Sequence, residues 1–434
     1  MRTLKISVIC GGLLLLLAMT TLSATIRIPT DQPTIQAGVD AGAPGDTILI
    51  SAGIYYENIV VDKRLSLIGQ FGYGLPIIDG SNNGNVLLIN ANGVTVKYLN
   101  FRGGGSVQEM DGPWDAGIHI LRADSCVIIG CQLAYNGAAG LSLAHSSHCI
   151  IRRCWILENV NGVYFYEASQ DYPIENDSGN IIDSNIIFYQ TLGIRFAHTL
   201  LTHHTANIIR CNYFTYNTTG LSMIMSEKNE VYYNQFVQNT EYAIGLGMCM
   251  GGGDSNQFYL NYFVDNGTDH PQCGDGGGGP DFWYSEDYEM GNYWSDYTGV
   301  DLDQNGIGDT PYTLDGYDGV QDPFPMMELL DSDEDGWVDF VDNCMFTANP
   351  TQRDMDLDGI GDACCCLGHT GDIDCDHDRN LADITLLIDH VYLTHRYLCC
   401  PASGNTSGDP DGKVNLADIT DLIDLIYLTH KEVA

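Results

Sequence analysis

Basic side chains are scarce: 18 Lys and Arg stand against 57 Asp and Glu, for a net charge of −39. So acidic a surface repels phosphate, which excludes nucleic acid and anionic membrane as partners and leaves cations and neutral ligands. Material for long surface helices is short as well, since 49 Gly accompany those few basic residues, and turn-rich β structure is expected instead. Long apolar runs are missing after residue 18. The one run present, 6–18, follows Arg2 and Lys5 and precedes Ser23 and Ala24. It is shorter than the roughly 20 residues a membrane span needs, and its flanks are those of an export signal covering 1–24. The expectation is a secreted chain, extracellular, at the cell surface or periplasmic, with no span once the signal is removed. One of the 15 cysteines, Cys10, lies in that signal, and the other 14 enter a compartment where disulfides persist.

With 434 residues the chain is long enough for several modules of about 150. Acid is unevenly spread over it. Residues 1–300 carry 28 acidic and 13 basic side chains, whereas 301–434 carry 29 and 5. Such density repels itself unless cations neutralise it, so Ca2+ is the expected cofactor of the last third.

The middle of the chain repeats. A Cys or Asn marker falls at Cys131, Cys154, Asn185, Asn212, Asn234 and Asn261, followed five residues on by Asn136, Asn159, Gln190, Asn217, Asn239 and Asn266. After each turn the apolar residues alternate, as in Leu141/Leu143, Val163/Phe165, Ile194/Phe196, Leu221/Met223 and Ile244/Leu246, and these are predicted to share an inward face. A unit of short strands with no helix between them cannot bury its apolar face alone but buries it by stacking, which defines a parallel β-helix. The second marker predicts a ladder of stacked amides. Cys126/Cys149 and Cys131/Cys154, one coil apart, are expected to stack as small buried hydrophobes.

The stretch "PTIQAGVDAGAPGDTILISAGIYYENIVVDKRLSLIGQ" resembles the opening of right-handed parallel β-helix proteins of the NosD-like and pectate-lyase-like class, in which a short helix caps the first coil. "GNYWSDYTGVDLDQNGIGDTPY" is similar to the closing segment of NosD-like proteins, and implies that Tyr293 and Trp294 cover the last coil. The expected solenoid spans 25–325. Beyond it, "DSDEDGWVDFVDNC" and "NPTQRDMDLDGIGDAC" resemble thrombospondin type 3 repeats over 326–366. Ten of the 32 residues 331–362 are acidic and one is basic, so the segment folds around ions or not at all. The resemblance implies calcium ligands at Asp331, Asp333, Asp335, Asp339, Asp342, Asp354, Asp356, Asp358 and Asp362, with Gly336 and Gly359 in the tight turns and a Cys344–Cys364 disulfide.

Residues 367–434 contain a duplication: "NLADITLLIDHVYLTH" and "NLADITDLIDLIYLTH" match at 13 of 16 positions, with apolar residues at helical spacing. Counting back from the last Asp of each loop by EF-hand spacing gives Asp372, Asp374, Asp376, Asn380 and Asp383, then Asp409, Asp411, Asn415 and Asp418. Two such loops, each feeding one helix, look like a dockerin-like domain, which implies a cohesin-like protein partner. His377 at the usual Gly, Arg379 at the usual apolar position and Ser407 at a ligand position depart from the pattern.

Strong catalytic motifs are absent. The Gly-His-Gly and paired-Asp signatures of β-helix polygalacturonases and the Asp-Pro-His motif of alginate epimerases do not occur. Strand alternation places Ser142, Tyr164, Arg195 and Ser222 in an outward row, with Tyr166 beside it and His145, Glu167 and His198 at the strand ends. Aromatic rings beside a cation suit an acidic sugar chain, so Tyr164, Tyr166 and Arg195 are candidate substrate-binding residues and Glu167 and His198 candidate proton-transfer groups. His203 and His204, with Met248 and Met250 around Cys249, form a candidate soft-metal set of the copper type that NosD-like proteins imply. Cys249 has Cys273 as a candidate disulfide partner. The leading expectation is a calcium-dependent protein that binds and processes polysaccharide as a hydrolase or lyase. The alternatives are a non-enzymatic adhesion scaffold and a periplasmic metal-maturation factor.

Overall fold

The computed structural model describes residues 23–329 apart from 71–73, 108–114, 167–176, 198–203, 225, 248–254, 268–269, 277–280 and 317–318; beyond these it describes parts of 331–364, residues 371 and 406, and parts of 381–392 and 415–426. Strands of two to six residues follow one another at every turn of the chain and, after the first pair Thr25–Ile28 and Thr47–Ile50, each strand of the main sheets pairs with the equivalent strand one coil away and not with its sequence neighbour. Three sheets of ten strands result. One coil shows the plan: Ile181–Asp183 joins the first sheet, Ile186–Phe188 the second and Leu192–Phe196 the third. The pairing along the stack is parallel, for example Ile181 opposite Ile208, Ile186 opposite Tyr213 and Ile194 opposite Leu221. The protein is a parallel β-helix.

Alternation decides which side chains fill it. Leu141, Leu143, Val163, Phe165, Ile194, Phe196, Leu221, Met223, Ile244 and Leu246 are all fully buried in one continuous core, as their period of two predicts. Equivalent aromatic rings of the second sheet stack coil upon coil: Phe214 on Phe236 at 4.5 Å, Phe236 on Phe263 at 5.3 Å and Phe263 on Trp294 at 4.3 Å. Cys126, Cys131, Cys149 and Cys154 are buried free thiols in the same core, and Cys273 is likewise free and buried.

The corners explain the Asn content. A residue in the left-handed region precedes each corner amide, as Gly179, Ser184 and Tyr189 (φ 64°, 56° and 55°) precede Asn180, Asn185 and Gln190. That bend turns backbone polar groups away from the sheets, and the following side chain satisfies them. The backbone N–H of Asn185 donates to Asn212 Oδ1, that of Asn212 to Asn234 and that of Asn234 to Asn261, each at 3.0 Å. The expected ladder through Asn217, Asn239 and Asn266 forms in the same way. A third ladder, Asn180, Asn207, Asn229 and Asn256, runs up the remaining corner and was not recognised in the sequence.

Both ends of the solenoid are covered. At the start lies helix α1 (Ile35–Ala41), capped by the Thr34 side chain, with the Glu57 carboxylate accepting from the Ile35 and Gln36 amides at 2.9 Å each. A methyl group on Gly38 would stand 2.7 Å from Ile28 Cδ1 and 3.3 Å from Ile48 Cγ2, so glycine lets this helix sit on the first strands without shifting those side chains. At the far end Tyr293–Trp294 pairs with the last coil and Tyr312 stacks on Trp294 at 4.1 Å. In the tail, helices α2 (Leu381–Ile388) and α3 (Leu416–Ile423) share a small core of Ile384, Leu387, Ile419 and Leu422.

Candidate functional site

The outward face of the third sheet carries the row that alternation predicted. Ser142 lies opposite Tyr164, Tyr164 opposite Arg195 and Arg195 opposite Ser222, and His119 extends the row as the partner of Ser142. Although these side chains point away from the core, the face is covered: Tyr164 is 6% and Tyr166 2% exposed. The Tyr164 and Tyr166 rings stack at 5.5 Å, and the Arg195 guanidinium lies 5.5 Å from the centre of the Tyr164 ring. Glu167 and His198, the candidate proton-transfer residues, lie outside the described residues, as do His203, Met248, Cys249 and Met250.

His119 has a defined protonation. Asn85 Oδ1 accepts the Ala116 N–H at 2.8 Å, which turns its Nδ2 donor toward His119 Nδ1 at 3.2 Å. Nδ1 must therefore accept, the ring proton sits on Nε2, and Nε2 donates to Tyr166 Oη at 3.1 Å. Burial pushes the imidazole down to about 4, which keeps it neutral near pH 7. Burial raises the Tyr166 phenol, an effect to which Tyr164 and Asp177 add and which Arg122 opposes. A phenol that accepts from a neutral imidazole keeps its own proton, and burial holds that proton firmly. Close by, His204 Nδ1 lies 3.3 Å from Asp177 Oδ2 and its Nε2 3.2 Å from the Ala197 carbonyl. Both nitrogens of His204 thus face oxygen atoms of the protein. His119 lies one coil before Cys131, where the paired markers begin, and Asp177 lies outside the strands, where alternation gives no signal. For His119 the signal was there: "GIHIL" aligns with "GLSLA", which sets His119 on Ser142.

A second cluster lies in the acidic tail. Carboxylate oxygens of Asp331, Asp333 and Asp335 lie within 4.8 Å of one another, and among the described residues no other group of three such side chains is so placed to hold a metal. Asp331 Oδ1 and Asp333 Oδ1 accept the Asp335 N–H, Asp331 Oδ2 accepts that of Gly336, and Gly336 has φ 96°. The segment 301–306, not singled out in the sequence, repeats the pattern with Asp301, Asp303, Asn305 and Gly306. The Cys344–Cys364 disulfide is formed. Asp342 accepts the Cys344 N–H, while Asp339, Asp354, Asp356, Asp358 and Asp362 lie outside the described residues. Of the two helix-preceding loops only the ends are described. Asp383 and Asp418 are fully buried and Asp418 Oδ2 accepts the Asn415 N–H, whereas Asp372, Asp374, Asp376, Asn380, Asp409 and Asp411 lie outside.

Fold and coil geometry define a parallel β-helix protein whose outward face carries polar and aromatic side chains. Residues 39–246 and 241–299 match the profile described as periplasmic copper-binding protein (NosD), and the chain belongs to that family. No curated protein sequence matches the chain. Among solved structures it is similar to an alginate lyase from Paenibacillus sp. str. FPU-7 (15% identity, TM-score 0.43, 62% of this chain and 97% of that one). It is also similar to the AlgE6 A-module, a mannuronan C-5 epimerase of Azotobacter vinelandii (14%, 0.36, 60% and 88%). The third is tailspike gp49 of the Acinetobacter baumannii bacteriophage Fri1, a capsular polysaccharide depolymerase (12%, 0.42, 62% and 57%). At these identities the likeness is one of fold. Among the described residues no helix is long and apolar enough to cross a membrane.

Copper calls for thiolate, thioether or imidazole donors, and calcium for carboxylate and carbonyl oxygen. Among the described residues the only cluster of three His, Cys, Asp or Glu donors is all carboxylate, and both nitrogens of His204 face protein oxygens. This donor set fits a hard cation and does not fit the copper of the family description.

Proposed function

We propose that the protein is an exported, calcium-dependent polysaccharide-binding β-helix, joined to a partner protein through its dockerin-like end and able to process the bound chain. The observation that supports saccharide chemistry is the third-sheet column in which Arg195 lies over Tyr164, Tyr164 stacks on Tyr166, and Tyr166 is held by a His119 of fixed tautomer. In this reading the partly exposed Arg195 pairs with a sugar carboxylate, the buried Tyr164 and Tyr166 rings hold its guanidinium in place from beneath, and Glu167 and His198 move protons during cleavage by hydrolysis or elimination. Calcium is held by Asp331, Asp333 and Asp335 together with the other acidic residues of 326–366, and by the two loops of 367–434. A cohesin-like protein is the partner of the paired helices.

The test incubates the full chain with alginate and polygalacturonate, with and without chelator, and measures retention and new reducing or unsaturated ends. Arg195→Ala should weaken retention of either acidic chain about tenfold, and Glu167→Gln should abolish cleavage while leaving retention intact. Retention of neither chain by the parent protein overturns the reading.

A further inference from the structure

The second sheet has an outward face unlike that of the first. On the first sheet the outward positions carry Arg152, Asp183, Arg210 and Glu230, and Arg152 pairs with Asp183 at 2.8 Å. On the second, the outward positions of the strands from Gln132–Ala134 to Tyr262–Val264 are apolar, aromatic, hydroxyl or amide, and none is charged. In a chain of net charge −39 such a face is a marked exception. It is also open. Trp155 is 46% exposed, and along the adjoining corner Tyr135, Tyr189 and Tyr216 are 57%, 54% and 48% exposed.

The aromatic side chains form one array. Trp155 meets Phe188 edge-on at 6.5 Å, Phe188 meets Tyr189 at 5.5 Å, and Tyr189 stacks on Tyr216 at 5.4 Å. Because parallel coils repeat about every 4.8 Å, the corner residues Tyr135, Glu158, Tyr189 and Tyr216 form a row along the solenoid axis, and Trp155 and Phe188, two positions apart in register, carry the aromatic surface across the sheet to that row. A depression of about 660 Å³ opens beside it, lined by Asn136, Gly137, Glu158, Asn159, Val160 and Tyr189. Contiguous exposed apolar surface rimmed by polar groups marks an interaction site.

We infer that this strip binds a neutral, linear polysaccharide. The corner row is narrow and extends along the axis, as a single extended chain does. Rings of Trp and Tyr offer rigid amphipathic faces to the C–H faces of sugars, and Gln132 and Gln235 at its margins offer amide donors and acceptors to hydroxyl groups. An acidic chain is disfavoured, because the Glu158 carboxylate lines the depression and the outward cation of the sheet's earlier strands, Arg102, is paired with Asp79 at 2.9 Å. The inference rests on the reading of the β-helix as a polysaccharide binder but not on the buried column of the third sheet.

Affinity electrophoresis of the full chain tests it, in gels containing mixed-linkage β-glucan, galactomannan or alginate. The parent should be retarded by at least one neutral chain. Trp155→Ala and the double variant Tyr189→Ala/Tyr216→Ala should each weaken that retardation at least tenfold, and Trp155→Phe should restore part of it. Tyr288→Ala, an exposed tyrosine away from the strip, should leave it unchanged. Melting temperatures matching the parent's show that the variants fold. Retention of a neutral chain that the strip variants do not weaken overturns the strip and leaves polysaccharide binding standing; retention of no chain overturns both. A parent dimer in sedimentation that Trp155→Ala dissociates assigns the strip to a second copy and overturns the inference.

Discussion

Asn212 and Asp331 each accept two hydrogen bonds from amide N–H groups, and the difference between them separates the two halves of the molecule. Asn212 is fully buried; it takes the backbone and side-chain amides of Asn185 and gives its own N–H groups to the Ile182 carbonyl and to Asn234. Asp331 is half-buried and takes the backbone amides of Asp335 and Gly336. An amide both accepts and donates, so it stacks on its own kind without a cation. A carboxylate only accepts, so Asp331, Asp333 and Asp335 face one another as like charges and their convergence favours a cation. The β-helix is therefore complete in itself, whereas the acidic tail is expected to need an ion.

The largest effect expected from breaking the self-contained half is in its ring stack. Phe214→Ala leaves a cavity between Ile187-bearing and Phe236-bearing coils and should cost about 3–5 kcal/mol, read by denaturant unfolding. Asn212→Ala comes next. It strands the Asn185 amides and the Ile182 carbonyl in the interior, and at about 1–3 kcal/mol for each buried group left without a partner the loss should reach roughly 3 kcal/mol. A drop below about 1 kcal/mol would mean that water replaces the rung.

The His119 contribution depends on pH. Its folded value of about 4 lies below the roughly 6.5 of an unfolded imidazole, so the unfolded chain takes up the proton first on acidification. Stability from this residue is complete above about pH 6.5 and is lost as pH falls toward 4, by up to roughly 3 kcal/mol. Asp322, pushed up to about 6 by burial, contributes the opposite slope and cancels between parent and variant. Unfolding curves of parent and His119→Gln between pH 7 and 4 should therefore converge; parallel curves would refute the account.

The smallest effect sharpens the contrast. Chelator, or Cys344→Ser, should make 326–366 sensitive to protease while moving the β-helix melting temperature by less than about 1 °C. A shift of the whole transition would show that the halves depend on each other.

Legibility followed period. Leu141, Val163 and Ile194 announced their faces because strand alternation is a two-residue rule, and the outward row through Tyr164 and Arg195 came with it. The ladder of Asn217, Asn239 and Asn266 was equally plain. The Asn180, Asn207 and Asn229 ladder was not, because its corner amides were not aligned when only two markers were tracked. His119 was missed for want of extending the repeat one coil back.

By itself the sequence determined the stacked parallel coils, the inward face and the acidic tail, because each is encoded in spacing or charge that neighbouring residues carry, while the Cys344–Cys364 pair came from resemblance to a known repeat. Only the tertiary structure decided that Tyr164 and Tyr166 are covered while Trp155, Tyr189 and Tyr216 are open, and that Asn85 fixes the proton of His119. Exposure and tautomer depend on what other coils bring against a side chain, and residues 34 apart meet only when the chain has wound.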